Sequence, residues 1–284
     1  MIAALLAAGS ALVYGVGDYC GGTAGKRAPV VAVTLVAKLT ALPLLLVITV
    51  LLGADAMPGV ADVGWAALAG LAGVGGVVLF YKAMSAGAMA VVAPVAAAAS
   101  AVLPVVVGVA VDGSPGVLPL VGIGCAVVAI ALVSAGGGRP ADAGAVVTPS
   151  LVGLAVVSGF GFGLFFVLLD RVEAGVGQWP LAVAQVTAIV ALVAVSLSRR
   201  ERMTVPRAAV PFALAAGVFD TVANVLYVLA NNSGQLAIVA PLASLYPAST
   251  VVLALVLDHE KVRGWQLLGL GLAGTALALL AATG

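Results

Sequence analysis

Charge is scarce in this chain. Its 284 residues include 12 Lys and Arg and 11 Asp and Glu, or 8% charged, where a soluble domain carries roughly a quarter. The formal net charge is +1, so no basic surface is on offer to nucleic acid. Histidine occurs once, as His259. There is no nucleophile–base pair to build an enzyme around, and no cofactor is expected. No GxxxxGK[ST] loop is present, which excludes ATP as a direct driving force. The two cysteines, Cys20 and Cys125, match no metal or redox spacing and read as small apolar filler. What remains is apolar: 63% of residues are hydrophobic, and mean hydropathy is +1.27. No soluble fold can hide that much apolar surface, so lipid must be the solvent.

A bilayer-spanning helix needs roughly 20 apolar residues. Ten segments qualify: 2–20, 29–52, 64–82, 90–110, 117–135, 151–169, 179–197, 208–230, 236–257 and 264–282. Short connections rich in Gly, Pro, Asp or Arg separate them, and no soluble domain intervenes. The N-terminus lacks a positive n-region, so the first apolar segment is expected to be retained. The second half repeats the first. Residues 93–108, APVAAAASAVLPVVVG, are echoed by 240–255, APLASLYPASTVVLAL, at an offset of 147. Pro94/Pro241, Gly70/Gly217, Gly87/Gly234, Gly122/Gly269 and Gly124/Gly271 keep that offset. The chain therefore divides into a first repeat, 1–137, a connecting loop, 138–150, and a second repeat, 151–284.

Positive charge sets the expected orientation. Loops after odd-numbered spans carry ten Lys and Arg, whereas loops after even-numbered spans carry Arg171 alone. The odd loops are thus expected in the cytoplasm and both termini outside the cell membrane. Five spans per repeat is an odd number, so the halves enter the membrane from opposite sides. The expected fold is an all-α integral membrane protein of ten transmembrane helices in two inverted five-helix repeats. Inverted repeats are the architecture of secondary transporters working by alternating access. A channel-like or structural membrane protein is the alternative; a channel would line its path with rings of polar groups.

Several motifs carry a family resemblance. They are Gly15-Val-Gly-Asp18-Tyr-Cys-Gly-Gly22 running to Lys26-Arg27, the Ala-Pro starts of spans 4 and 9, Leu245-Tyr246-Pro247, and Glu260-Lys-Val-Arg263-Gly-Trp-Gln266 before the Gly-rich last span. In order and spacing the chain resembles the drug/metabolite transporter superfamily, in the ten-helix group with two EamA-type repeats. The resemblance covers essentially the whole chain. It implies a carrier for small metabolites or amphipathic compounds, usually an exporter, with a cavity between the halves. The expected partners are a small-molecule substrate and the bilayer, with the protein a monomer or homodimer.

Three ionisable residues fall inside the spans: Asp18, Lys38 and Asp220. Such groups are costly in lipid and mark function by default. Counted from the cytoplasmic boundaries, they lie roughly 12, 15 and 18 Å deep. All three can therefore meet near the midplane. Counted from Met1, however, Asp18 reads equally as a solvated helix end. Lys38 answers Gln185 under the offset of 147, so the same place in each half is polar. A pairing of Lys38 with Asp18 or Asp220 is the structural alternative to a substrate site. Asp220, Asn224 and Tyr227, at i, i+4 and i+7, form a polar stripe expected to line a cavity. Asp220 and Asp18 are the candidates for proton coupling. Tyr14, one turn before Asp18, and Tyr246 complete the candidate substrate-binding set, with Ser100 and Ser244 as weaker additions.

Pro94, Pro104, Pro241 and Pro247 interrupt spans 4 and 9 and are candidate hinges; the alternative is a simple kink. The Gly17/Gly21/Gly25 row reads as a packing groove. Gly159, Gly161 and Gly163, set among Phe160, Phe162, Phe165 and Phe166, read first as packing and second as an apolar pocket wall. His259 is expected to be solvated in a loop. Asn231-Asn232-Ser233 fits a glycosylation pattern that occurs by chance.

Overall fold

The computed structural model describes residues 2–85, 89–113, 116–135, 149–173, 175–199, 203–246, 249 and 264–281. Ten α-helices account for nearly all of them: α1 (Ile2–Gly25), α2 (Val30–Leu52), α3 (Val60–Ser85), α4 (Met89–Asp112), α5 (Val117–Ala135), α6 (Pro149–Asp170), α7 (Trp179–Arg199), α8 (Val210–Asn231), α9 (Leu236–Ala243) and α10 (Gly264–Ala281). Among the described residues there is no strand. Helices are what these apolar runs must form in lipid, where each backbone group has to be satisfied within its own segment. The connections break where the sequence punctuates. Gly53 follows α2 at φ 73° and returns its N–H to the Thr49 carbonyl at 3.0 Å.

The observed helices follow most of the expected segments, but α9 stops at Ala243 and a turn takes 244–245 where the sequence predicts a continuous span to 257, and two further shifts are informative. Helix α1 runs on to Gly25 instead of stopping at 20. That sets Asp18 seven residues inside its end, about 10 Å along the axis. Helix α3 begins at Val60, which places Asp62 in its first turn. The expected stretch of the ninth span beyond Ser249 lies outside the described residues, as do Pro247, His259 and most of the 138–150 loop.

Six helices, α1–α3 and α6–α8, have the length and composition for a membrane crossing. The packing is inverted relative to a water-soluble bundle. Small residues fill the interior, with Ala7, Ala66, Ala83, Ala97, Ala213 and Ala240 fully buried. Large apolar side chains point outward, such as Val50 at 74% and Leu51 at 78% exposure. An apolar surface of this extent is stable against acyl chains and unstable against water. Without a hydrophobic drive between helices, close backbone approach at small residues holds the bundle.

The neighbour relations follow one rule. Helix α1 packs on α8 as α6 packs on α3; α2 packs on α8 as α7 packs on α3; α4 packs on α6 as α9 packs on α1. The remaining large pairs join α2 to α7, α4 to α9 and α5 to α10. These pairs map onto one another when each helix is exchanged with the one five places along, whereas α4 also packs on α5 far more extensively than α9 does on α10. One contact repeats at atomic detail. Gly70 of α3 lies so close to the Ala184 carbonyl of α7 that a Cβ would collide, and Gly217 of α8 lies in the same way against the Ala37 carbonyl of α2. Gly70 and Gly217 stand 147 residues apart, as do Ala37 and Ala184. Lys38 and Gln185 are the next residues along, so these two tight crossings fix where the central polar side chains emerge.

Candidate functional site

Helices from both halves enclose a central cavity with about 820 Å³ of empty space, including the part continuous with solvent. Its charged wall comes from α1, α2 and α8: Tyr14 and Asp18, Lys38, and Asp220 with Asn224. Gly17 makes this wall possible. A Cβ there would lie 3.3 Å from Phe219 Cβ and 3.5 Å from the Asp220 nitrogen. Helices α1 and α8 therefore touch backbone to backbone, which brings Asp18 and Asp220 to the same level of the cavity.

Lys38 Nζ donates to Asp220 Oδ2 at 2.8 Å, an ion pair only 13% and 25% exposed. Of the two pairings open to Lys38, the structure forms this one. A short relay continues from it. Asn224 Nδ2 donates to the Asp220 backbone carbonyl at 2.7 Å, and the Tyr14 hydroxyl donates to Asn224 Oδ1 at 2.8 Å. Tyr246 stands beside Tyr14, their rings 6.5 Å apart. Asp18 lines the cavity and is not a solvated helix end. Its carboxylate makes no hydrogen bond or ion pair to any described residue.

The opposite wall is aromatic. Phe162, Phe165 and Phe166 of α6 face the cavity, with Gly73, Val77 and Tyr81 of α3. Tyr81 also packs over Gly21, where any side chain would displace its ring. The Gly17/Gly21 row thus serves both as a packing groove and as part of the cavity's support. The GFGFG stretch has a divided role. Gly159 and Gly163 let α6 approach the α4 backbone at Ala96 and Ser100, and Gly161 approaches Ala72 and Gly76 of α3. These contacts turn three of the four phenylalanines inward, while Phe160 is 45% exposed and faces outward.

Six of the eight residues singled out for substrate binding line this cavity: Tyr14, Asp18, Lys38, Asp220, Asn224 and Tyr246. Gln185 borders a smaller recess beside it, shared with Lys38, Gly73 and Asn224. Tyr227 is the exception. Its side chain is fully buried outside the cavity, with its ring 4.4 Å from that of Phe166. The i+7 spacing keeps it on the stripe's face but lifts it about 10 Å along the axis, past the level that Phe166 closes. Its hydroxyl finds no hydrogen-bond partner among the described residues. Ser100 and Ser244 do meet, Oγ to Oγ at 3.2 Å, and tie α4 to the end of α9. Pro94 and Pro104 lie within α4 and Pro241 within α9. Cys20 is buried against Ala37 and Ala216, and both described cysteines are free.

Sequence reasoning missed a second polar cluster, at the end of the bundle that carries the α2–α3 and α6–α7 loops. Asp62 is 5% exposed and accepts the Gly59 N–H at 2.8 Å and the Glu173 N–H at 3.0 Å. The Asp55 and Ala56 N–H groups both donate to the Gly175 carbonyl, at 2.8 and 3.2 Å. Asn231 Nδ2 donates to Asp170 Oδ1 at 3.0 Å. The Asp62 and Gly175 bonds latch the two loops together, and the Asn231–Asp170 bond ties the adjoining ends of α8 and α6. The available signal was an acid one turn into a helix, which satisfies free N–H groups.

Residues 150–282 match the EamA-like transporter family. The chain carries an EamA-like transporter domain. The matched family is one of membrane transporters, and the long apolar helices and outward-facing apolar surface agree with a multi-pass membrane protein. A crystal structure with 14% sequence identity matches with a TM-score of 0.74, over 98% of this chain and 96% of that one. At that identity the likeness concerns the fold, which extends over the first half as well as the second. No curated relative matches the chain. The drug/metabolite transporter resemblance seen in the motifs agrees with the EamA-like domain.

Proposed function

We propose that this EamA-like protein is a secondary transporter that carries a small amphipathic solute across the cell membrane by alternating access. The observation that carries the proposal is the cavity. A charged wall and an aromatic wall face each other at the centre of an apolar bundle, and each wall draws on both halves of the chain. A lipid-facing bundle has no structural need for such a hollow, since filling it would add packing contacts.

In this reading the chain crosses the bilayer ten times, as two inverted repeats, 1–137 and 151–284. The exchange symmetry of the helix pairs and the matched Gly70–Ala184 and Gly217–Ala37 crossings support it. Both termini lie outside, as the positive charge in the odd loops favours. The latch over the α2–α3 and α6–α7 loops then closes the outer end, and export is the working direction. Asp220 and Asp18 are the groups that could exchange a proton against solute. Pro94, Pro104 and Pro241 lie in the helices α4 and α9, which pair across the two halves, and would let them bend.

The experiment is flux into liposomes of purified full-length protein, with a panel of labelled small cations, anions and zwitterions. Saturable uptake above protein-free vesicles is expected for at least one class, with loss of uptake in Phe165→Ala. Uptake that never saturates with concentration would instead mean a channel.

A further inference from the structure

Resting on that transporter reading, we infer that the cavity takes a small organic monocation with an aromatic body, and that Asp18 receives its charge. Charge balance comes first. Among the described residues the cavity is lined by two carboxyl groups, Asp18 and Asp220, and by one cation, Lys38. Lys38 is spent on Asp220 at 2.8 Å. A ligand carboxylate could take another Lys38 N–H, but it would then place a third carboxylate against a single cation in an apolar bundle. Asp18 poses no such conflict. It has no hydrogen-bond or ion-pair partner among the described residues, and the next cation on its own helix axis, Lys26, lies eight residues away, about 12 Å along the axis. Lys26 is itself exposed. Arg27 is held elsewhere, over the Phe212 ring at 5.2 Å and near the Ala208 carbonyl. Among the described residues the cavity therefore presents one carboxyl group that no cation pairs, and a ligand of charge +1 would balance it in its ionised form.

The opposite wall selects the rest of the ligand. Phe162, Phe165 and Phe166 of α6 line the same cavity as Asp18, and Tyr81 packs over Gly21, three residues on from Asp18. An ammonium bound at Asp18 would direct an attached ring at this wall, and its own charge is attracted to aromatic faces. Lys38 holds the Asp220 carboxylate, whereas Tyr14 and Asn224 bond only as far as the Asp220 backbone carbonyl, so Asp18 and Asp220 take different roles although both line one cavity.

The test uses full-length protein in lipid nanodiscs and three probes of one shape: phenethylammonium, 3-phenylpropionate and phenylalanine. Propylammonium, which lacks the ring, is the fourth probe. Saturable binding of phenethylammonium is expected, with 3-phenylpropionate failing to compete. Asp18→Asn should weaken ammonium binding about ten-fold or more, Asp18→Glu should recover part of it, and propylammonium should bind about ten-fold more weakly. Phe162→Leu should weaken phenethylammonium and leave propylammonium unchanged, a readout that survives if Asp18→Asn does not fold. Tighter binding of the carboxylate or the zwitterion overturns the assignment, as does undiminished ammonium binding in folded Asp18→Asn. So does the absence of saturable ammonium binding. In each of those cases the liposome panel still decides separately whether the protein transports.

Discussion

At the scale of single residues, Lys38 and Asp220 decide the most. Neither is tolerable alone in this bundle, and together they form a pair at 2.8 Å with little exposure. Removing one partner strands the other, so Lys38→Met should cost about 2–3 kcal/mol, below the full range for deep burial because the cavity admits some solvent. Adding Asp220→Asn removes the stranded charge. The double variant should be more stable than Lys38→Met alone, seen as a higher unfolding midpoint in detergent. A double variant that melts lower still would show that each side chain has an essential partner besides the other. The pair was legible in the sequence because charged residues in apolar spans are so rare. Its exclusive form was not, since the depth count left Asp18 and Asp220 equally near Lys38. The sequence also did not show that α1 runs on through GDYCGGTAG, a stretch whose glycines sustain close helix packing in lipid and keep Asp18 inside the helix. Tyr227 misled for a related reason: periodicity reports the face a residue takes but not the level at which the cavity stops.

At the scale of helices, glycine sets the architecture at two places. A Cβ on Gly70 or Gly217 would press into a neighbouring backbone carbonyl, and backbone cannot rotate away as a side chain can. Gly70→Ala and Gly217→Ala should each destabilise by about 1–3 kcal/mol, and by similar amounts, because the two contacts match. Gly64→Ala and Gly75→Ala meet nothing within 4 Å. They should be neutral or gain slightly from helix propensity, within about 1 kcal/mol. Thermal unfolding of the four single variants reads both halves of this prediction; equal effects at all four positions would remove the crossings from the account. The glycine pairs stood out in the sequence as repeats at a constant offset, and that offset carries no distances. Their partners Ala37 and Ala184 were invisible among so many alanines. The inward turn of Phe162, Phe165 and Phe166 was equally hidden, because α6 is apolar all round and offers no stripe to orient it.

At the scale of the molecule, alternating access requires the two latched loops to part once in each cycle. Their backbone bonds make the closed state, and a covalent bond would make it permanent. A Cβ built on Gly175 lies 3.8 Å from Asp55 Cβ, close to the separation typical of a disulfide. Gly175 sits at φ 93°, so a cysteine there costs about 1 kcal/mol of backbone strain, a load the disulfide offsets. The variant Asp55→Cys/Gly175→Cys, made with Cys20→Ala and Cys125→Ala, should cross-link on oxidation without disturbing the central cavity some distance away. Oxidised protein should still bind the solute that the liposome panel identifies, yet lose most of its flux, and a membrane-permeant reductant should restore it. Binding and flux separate here because the engineered bond joins residues 55 and 175, in the α2–α3 and α6–α7 connections, neither of which lines the cavity. Full flux in the cross-linked state would mean that these loops stay together throughout the cycle. The moving boundary would then have to be sought between α4 and α9, where the Ser100–Ser244 contact joins the halves.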